Sequence, residues 1–179
     1  MNQLAVRLAI VSMAFTVALQ AQDNPLSTEA KQSWGRTKNN LMAAAEKMPE
    51  DQYSFKPAPE SQSFKDLVAH TADSAMGTCS AYAGERKQLG AAKLSSKAEL
   101  VAALKTGLEE CDAAYGSLTD AKATEMIAGR MGSRSRLGTL WGNTVHMEHE
   151  YAQMAVHLRL KGITPPSSEG RGGMGAPKK

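Results

Sequence analysis

Aromatic residues are scarce in this 179-residue chain: two Trp, four Tyr and three Phe amount to 5%. Ala and Met are plentiful, and no stretch alternates apolar and polar residues with the period of two that a strand requires. A sheet-based core is therefore excluded in favour of helices. Long apolar runs are also missing. The run Leu8–Leu19 falls short of the ~20 residues that span a bilayer. No Cys follows that run, so a lipid anchor on a new N-terminal Cys is not expected. Clusters of positive charge are absent, which argues against a nucleic-acid partner. No phosphate loop and no Ser/His/Asp or Cys/His nucleophile arrangement is visible.

The formal charge of +3 sits mostly outside the candidate domain. Arg7 precedes the apolar run, and the polar Gln20-Ala21-Gln22-Asp23 follows it. This order reads as a signal peptide over residues 1–21, cut after Ala21, with export to the periplasm or medium. The alternative is a buried N-terminal helix. At the other end, residues 167–179 hold Arg171, Lys178 and Lys179 against Glu169 in a Gly-rich segment that reads as a disordered tail. Residues 22–166 are left nearly neutral and form one domain. No stable membrane anchor is expected after cleavage, and a homodimer is left open.

Four helical segments divide that domain. Helix 1 is expected from Thr28 to Met48, with Ser27 as N-cap and Pro49 as stop. Helix 2 is expected from Ser63 to Ala83, ending at Gly84. Helix 3 follows the capping box Ser96-Lys97-Ala98-Glu99 and reaches Leu118. A polar, Gly-rich stretch over 119–132 precedes helix 4, expected from Ser135 to Lys161 with Gly162 beyond its end. Four such helices make an all-α four-helix bundle. Its core is read from Leu104, Leu108, Cys111, Tyr115 and Leu118 in helix 3. Helix 4 contributes Leu137, Leu140, Thr144, Met147, Tyr151, Met154 and Leu158.

Beside the helix 4 stripe runs a second row: His146, Glu150, Gln153 and His157. The i, i+4 spacing puts His146 and Glu150 on one face, one turn apart, whereas His149 points to solvent. An imidazole and a carboxylate so placed need one more donor to hold a metal. His70 on helix 2 can supply it, in a row with Ser74, Gly77 and Ala81 that leaves space around it. His70, His146 and Glu150 are thus candidate ligands for a divalent ion with open positions for water or substrate. On spacing alone, His70 could equally be a surface histidine. Gln153 is a candidate supporting or substrate-contacting group, and Tyr151 is read as packing.

The segments Met48–Pro57, Ser63-Phe64, Leu67–Asp73 and His146–Pro166 together resemble the DinB/YfiT-like superfamily over roughly residues 28–167. The resemblance implies a four-helix bundle with long crossover connections. It also implies a metal site of one His on helix 2 and two His on helix 4, four apart. Those positions fall on His70, His146 and Glu150. The Glu is a departure, consistent either with an altered metal preference among Zn, Ni and Fe or with a lost site. Family members of known activity are often metal-dependent transferases using small thiols. The implied function is an exported metal-dependent transferase or hydrolase acting on a small molecule. The alternative is a non-catalytic binding bundle.

Cys79 and Cys111 lie on the apolar sides of helices 2 and 3, as two buried thiols would. Export favours a disulfide instead. The pair falls at one height only if the two helices run parallel, and the segment 84–95 is long enough for the crossover this requires. The family's crossovers imply that arrangement, so helices 2 and 3 are expected parallel, with Cys79 and Cys111 bridged.

Overall fold

A computed structural model describes residues 24–129 and 132–169. Four helices carry the fold: α1 (Pro25–Lys47), α2 (Phe64–Ala83), α3 (Lys97–Ser117) and α4 (Arg136–Leu160). The expected leader, residues 1–21, lies outside the described residues, as does most of the expected tail. Ser167 and Glu169 are described, and they pack. The Ser167 amide donates to the Tyr151 hydroxyl, which donates to the Ser167 hydroxyl, and Glu169 pairs with Lys47. The folded part therefore runs three residues past the expected boundary at Pro166.

α1 starts at Pro25 rather than Thr28, and Ser27 is an interior, buried residue rather than the cap. Pro suits the first helical position because its missing N–H has no helical partner there. The orphan amides of Leu26 and Ser27 are met by the Asp120 carboxylate at 3.1 and 2.8 Å, and the Asp120 amide returns a bond to Asn24. This cap comes from 93 residues away, so no local pattern marks it. α2 and α3 begin on reciprocal capping boxes, Ser63 with Asp66 and Ser96 with Glu99. In each, the serine hydroxyl accepts from the third residue's amide and that residue's carboxylate accepts from the serine amide.

The helices form a ring in which α1 touches α4 and α3, while α2 touches α3 and α4. Consecutive helices α1 and α2 lie across a diagonal, as do α3 and α4. The Tyr115 side chain reaches over the second diagonal, donating to the Leu140 carbonyl at 2.6 Å, and stacks on Trp34. α2 and α3 are parallel: Gly107 meets Ala72 and Ala75, and one turn onward Cys111 is bonded to Cys79. α1 opposes α3, since Trp34 bonds Asp112 while Ser27 bonds Asp120. α2 opposes α4, since His70 faces Glu150 while Tyr82 lies by Thr139 across a shared cleft. The bundle therefore runs up, down, down, up.

Parallel neighbours require a connection that returns along the bundle. The segment after Gly84 (φ +110°) does so, tied to α2 by Ser80 accepting from the Lys87 amide and Asp73 from the Ala91 amide. Gly107 permits the closest approach: a Cβ there would stand 2.6 Å from the Ala72 carbonyl oxygen. The expected core stripe of α3 is buried throughout, and that of α4 is buried except for the half-exposed Leu137. The stretch expected to be irregular holds one strand of a short antiparallel pair, β1 (Met126–Ile127), whose partner β2 (Arg134–Ser135) lies just beyond it and includes the expected first residue of helix 4. Two residues per strand are too few to show alternation. The pair is anchored by the first amides of α4, Arg136 on Glu125 and Leu137 on Ala123. Among the described residues, no helix is long and apolar enough to cross a membrane.

Candidate metal centre

Helix periodicity places His146 and Glu150 one above the other on α4, and the antiparallel packing of α2 brings His70 against them. One ligand atom from each lies within 4.8 Å of the others. Glu150 Oε1 is 3.7 Å from His70 Nε2 and 3.7 Å from His146 Nδ1. The imidazoles meet edge to face with centroids 5.3 Å apart. Bonds of roughly 2.0–2.2 Å place tetrahedral ligands about 3.4 Å from one another, so small side-chain rotations bring these three onto one ion.

The three differ sharply in exposure. The Glu150 side chain is 4% exposed, against 46% for His70 and 39% for His146. A carboxylate so deeply buried is costly unless paired. Among the described residues, Glu150 has no Lys or Arg partner. It accepts one hydrogen bond at Oε2, from Gln153 Nε2 at 3.3 Å. The remaining oxygen, Oε1, is the one that faces the two imidazoles, on the side that opens to solvent. The donor set and this unmet carboxylate fit a divalent cation with the solvent side left open.

The surroundings hold the ligands in place. Gln153 touches Glu150 directly and fixes the oxygen that faces away from the histidines. The Ser74 hydroxyl is 3.4 Å from His70 Nε2. Burial pushes the His146 imidazole below its usual pKa, Glu150 pulls it back up, and His70 and His149 push it down. Neutral imidazole carries the lone pair that a metal takes. His149 is exposed, away from the cluster. His157 belongs to another environment: its ring nitrogens face the Gln153 and Gln62 carbonyls at 2.9 and 3.1 Å, between Phe55 and Phe64.

A cleft of about 330 Å³ opens beside His146. Its walls include Arg86, Arg134, Gly142 and Asn143. None of these four stands out in the sequence. Arg86 and Arg134 lie in connections with no periodicity, and Asn143 and Gly142 are ordinary positions until α4 packs against α2 and those connections.

A bundle with its second and third helices parallel, carrying two histidines and a carboxylate on facing helices, defines a class of helical proteins built around one open polar cluster. The chain belongs to the DinB superfamily, whose family model matches residues 33–154. Solved structures share the fold. A DinB-like protein from Bacillus cereus ATCC 10987 is 18% identical, with a TM-score of 0.64, over 75% of this chain and 92% of that one. A DinB-like protein, YjoA, from Bacillus subtilis is 22% identical, with a TM-score of 0.60, over 76% and 93%. YfiT from Bacillus subtilis is 17% identical, with a TM-score of 0.64, over 80% and 92%. That protein is described as a probable metal-dependent hydrolase with an unusual four-helix bundle topology. A comparison with curated proteins finds no match.

Proposed function

We propose that this protein is an exported, divalent-metal-dependent enzyme, a hydrolase or transferase, acting on a small molecule. The observation that carries this reading is the buried Glu150 carboxylate, whose free oxygen faces two imidazole nitrogens at 3.7 Å and, among the described residues, no Lys or Arg. His70, His146 and Glu150 would hold the ion. When bound, such an ion supplies Lewis acidity at its open positions, lowering the pKa of a water or a thiol there. The description of YfiT as a probable metal-dependent hydrolase supports the same class of chemistry.

The chain's own residues supply the rest. Glu150 brings negative charge from the buried side, and Gln153 keeps its oxygens oriented. His70 and His146 border solvent and leave room for a reactant on that side. The disulfide between Cys79 and Cys111 favours an oxidising compartment, in line with export. Metal analysis of purified protein tests the proposal. About one divalent ion per chain is expected, and cobalt-substituted protein should change its visible spectrum when a small thiol or a water-competing anion is added. A protein that retains no divalent ion after dialysis in equimolar zinc would sink the reading.

A further inference from the structure

The cleft beside His146 carries two guanidinium groups and, among its described lining residues, no carboxylate. Arg86 reaches it from the connection after α2, and Arg134 from strand β2. Among the described residues, neither guanidinium has a carboxylate within ion-pair distance, and no Asp or Glu lines the cleft. Arg86 donates instead to the Gly77 carbonyl at 3.4 Å.

The two arginines are also seated. Arg86 lies over Gly77, whose added Cβ would stand 3.0 Å from Nη2. Arg134 lies over Gly142, whose added Cβ would stand 3.1 Å from Nη1. Gly77 is two turns beyond His70 on the same face of α2, and Gly142 is one turn before His146 on α4. The glycines thus let both guanidinium groups settle against the helix faces that present the candidate ligands. At the cleft wall, the side chain of Asn143 is 97% buried, and its Oδ1 has no hydrogen-bond partner. Its amide nitrogen donates to the Tyr115 hydroxyl at 3.3 Å, which leaves the carbonyl oxygen as the unused group.

We infer that this cleft is an anion subsite: it binds a compact anionic group of the substrate, a carboxylate or a phosphate, between Arg86 and Arg134, and so directs the substrate's reacting end to the His70–His146–Glu150 cluster. A guanidinium offers two parallel N–H donors that match either oxyanion, and it does so without a protonation change near neutrality. The volume of about 330 Å³ suits a small molecule rather than a polymer. The substrate class is then a small anionic compound with a hydrolysable or thiol-reactive centre within a few bonds of its charged group.

This inference rests on the metal-dependent reading for its reactive end, but the anion site is testable alone. Calorimetric titrations of the full chain, at fixed ionic strength, use glutarate and inorganic phosphate as probes, with zinc-loaded and chelator-treated protein in parallel. Saturable binding of at least one probe is expected in both forms, and the preferred probe separates a carboxylate site from a phosphate site. Arg86→Gln and Arg134→Gln should each weaken binding at least fivefold, and together abolish it, with zinc stoichiometry unchanged. Both arginines are exposed, so these variants keep the fold; Gly142→Ala shifts the Arg134 guanidinium by only a few tenths of an ångström and should weaken binding less than Arg134→Gln does. Binding that survives the double variant, or that requires zinc and ignores the arginines, overturns the subsite and leaves the metal reading intact. Arginine-dependent binding in a protein that takes up no zinc overturns the metal reading and leaves the subsite standing.

Discussion

Glu150 is the residue on which the site turns, because its burial and its chemistry pull in opposite directions. A carboxylate this enclosed, with one hydrogen bond from Gln153, costs folding energy that an ion would offset. Glu150→Gln should therefore raise the stability of metal-free protein, by about 1 kcal/mol or more in denaturant unfolding, while removing metal binding. A variant that keeps the ion, or that is less stable without it, contradicts this account. His149→Ala should keep the metal and His146→Ala should lose it, as atomic absorption on dialysed samples would read. Gln153→Ala should weaken metal affinity by roughly tenfold, since it orients a ligand rather than serving as one. The pairing of His146 with Glu150 was legible because i, i+4 spacing is a statement about one helix, whereas His70, which spacing alone leaves open as a surface histidine, enters through the family resemblance. Arg86 and Arg134 were illegible: both lie in connections, and their place beside His146 follows from how those connections fold back.

The helices were legible for the same local reason, and their errors have nonlocal causes. The Ser96 box and the stripe from Leu104 to Leu118 are contained in single segments, so α3 reads directly. The start of α1 was misplaced by three residues because Asp120 caps it from across the bundle. The strands carry no alternation of their own to read, because the first turn of α4 holds them. The Ser63 box offers a pH-dependent test at this scale. The Ser63 hydroxyl holds the Asp66 carboxyl below its ordinary value of 3.8; burial opposes it as the next largest effect, and the Ser63 amide, Lys56 and Lys65 add smaller lowering contributions. A lowered folded-state pKa means the unfolded chain binds the proton first as pH falls. The cap's contribution is complete above the unfolded value and disappears as pH drops through the folded one. Ser63→Ala should cost about 1 kcal/mol near neutrality, and the gap from wild type should narrow in acid below that value. A difference independent of pH would show that Asp66 takes no part in the cap.

At the scale of the whole molecule, the close pairing of α2 and α3 depends on one residue without a side chain and on one covalent bond. Gly107→Ala puts a methyl 2.6 Å from a backbone oxygen that cannot rotate away, and should destabilise the protein by roughly 1–3 kcal/mol. The bridge Cys79–Cys111 encloses a sequence separation of 32, for which loop-closure entropy gives stabilisation of roughly 2–4 kcal/mol. Intact-mass analysis after alkylation of unfolded, unreduced protein should show no free thiol. Reduction should lower the unfolding midpoint without changing the zinc stoichiometry, because no metal ligand lies on α3. If export holds, secreted protein should begin near Gln22, as N-terminal sequencing of the mature form would show.

The same bond also works as a record of how the chain wound itself. A hairpin between α2 and α3 would set the two sulfurs on the order of 10 Å apart, beyond the reach of a bridge. Only a chain whose crossover has already travelled the length of the bundle brings Cys79 and Cys111 to the same height, with Cα atoms 4.9 Å apart. The bridge is therefore compatible with parallel α2 and α3 and not with a hairpin, whose thiols would stay open. A quality-control system that senses exposed thiols could thus sort correctly threaded copies of this protein from misthreaded ones by sulfur chemistry alone.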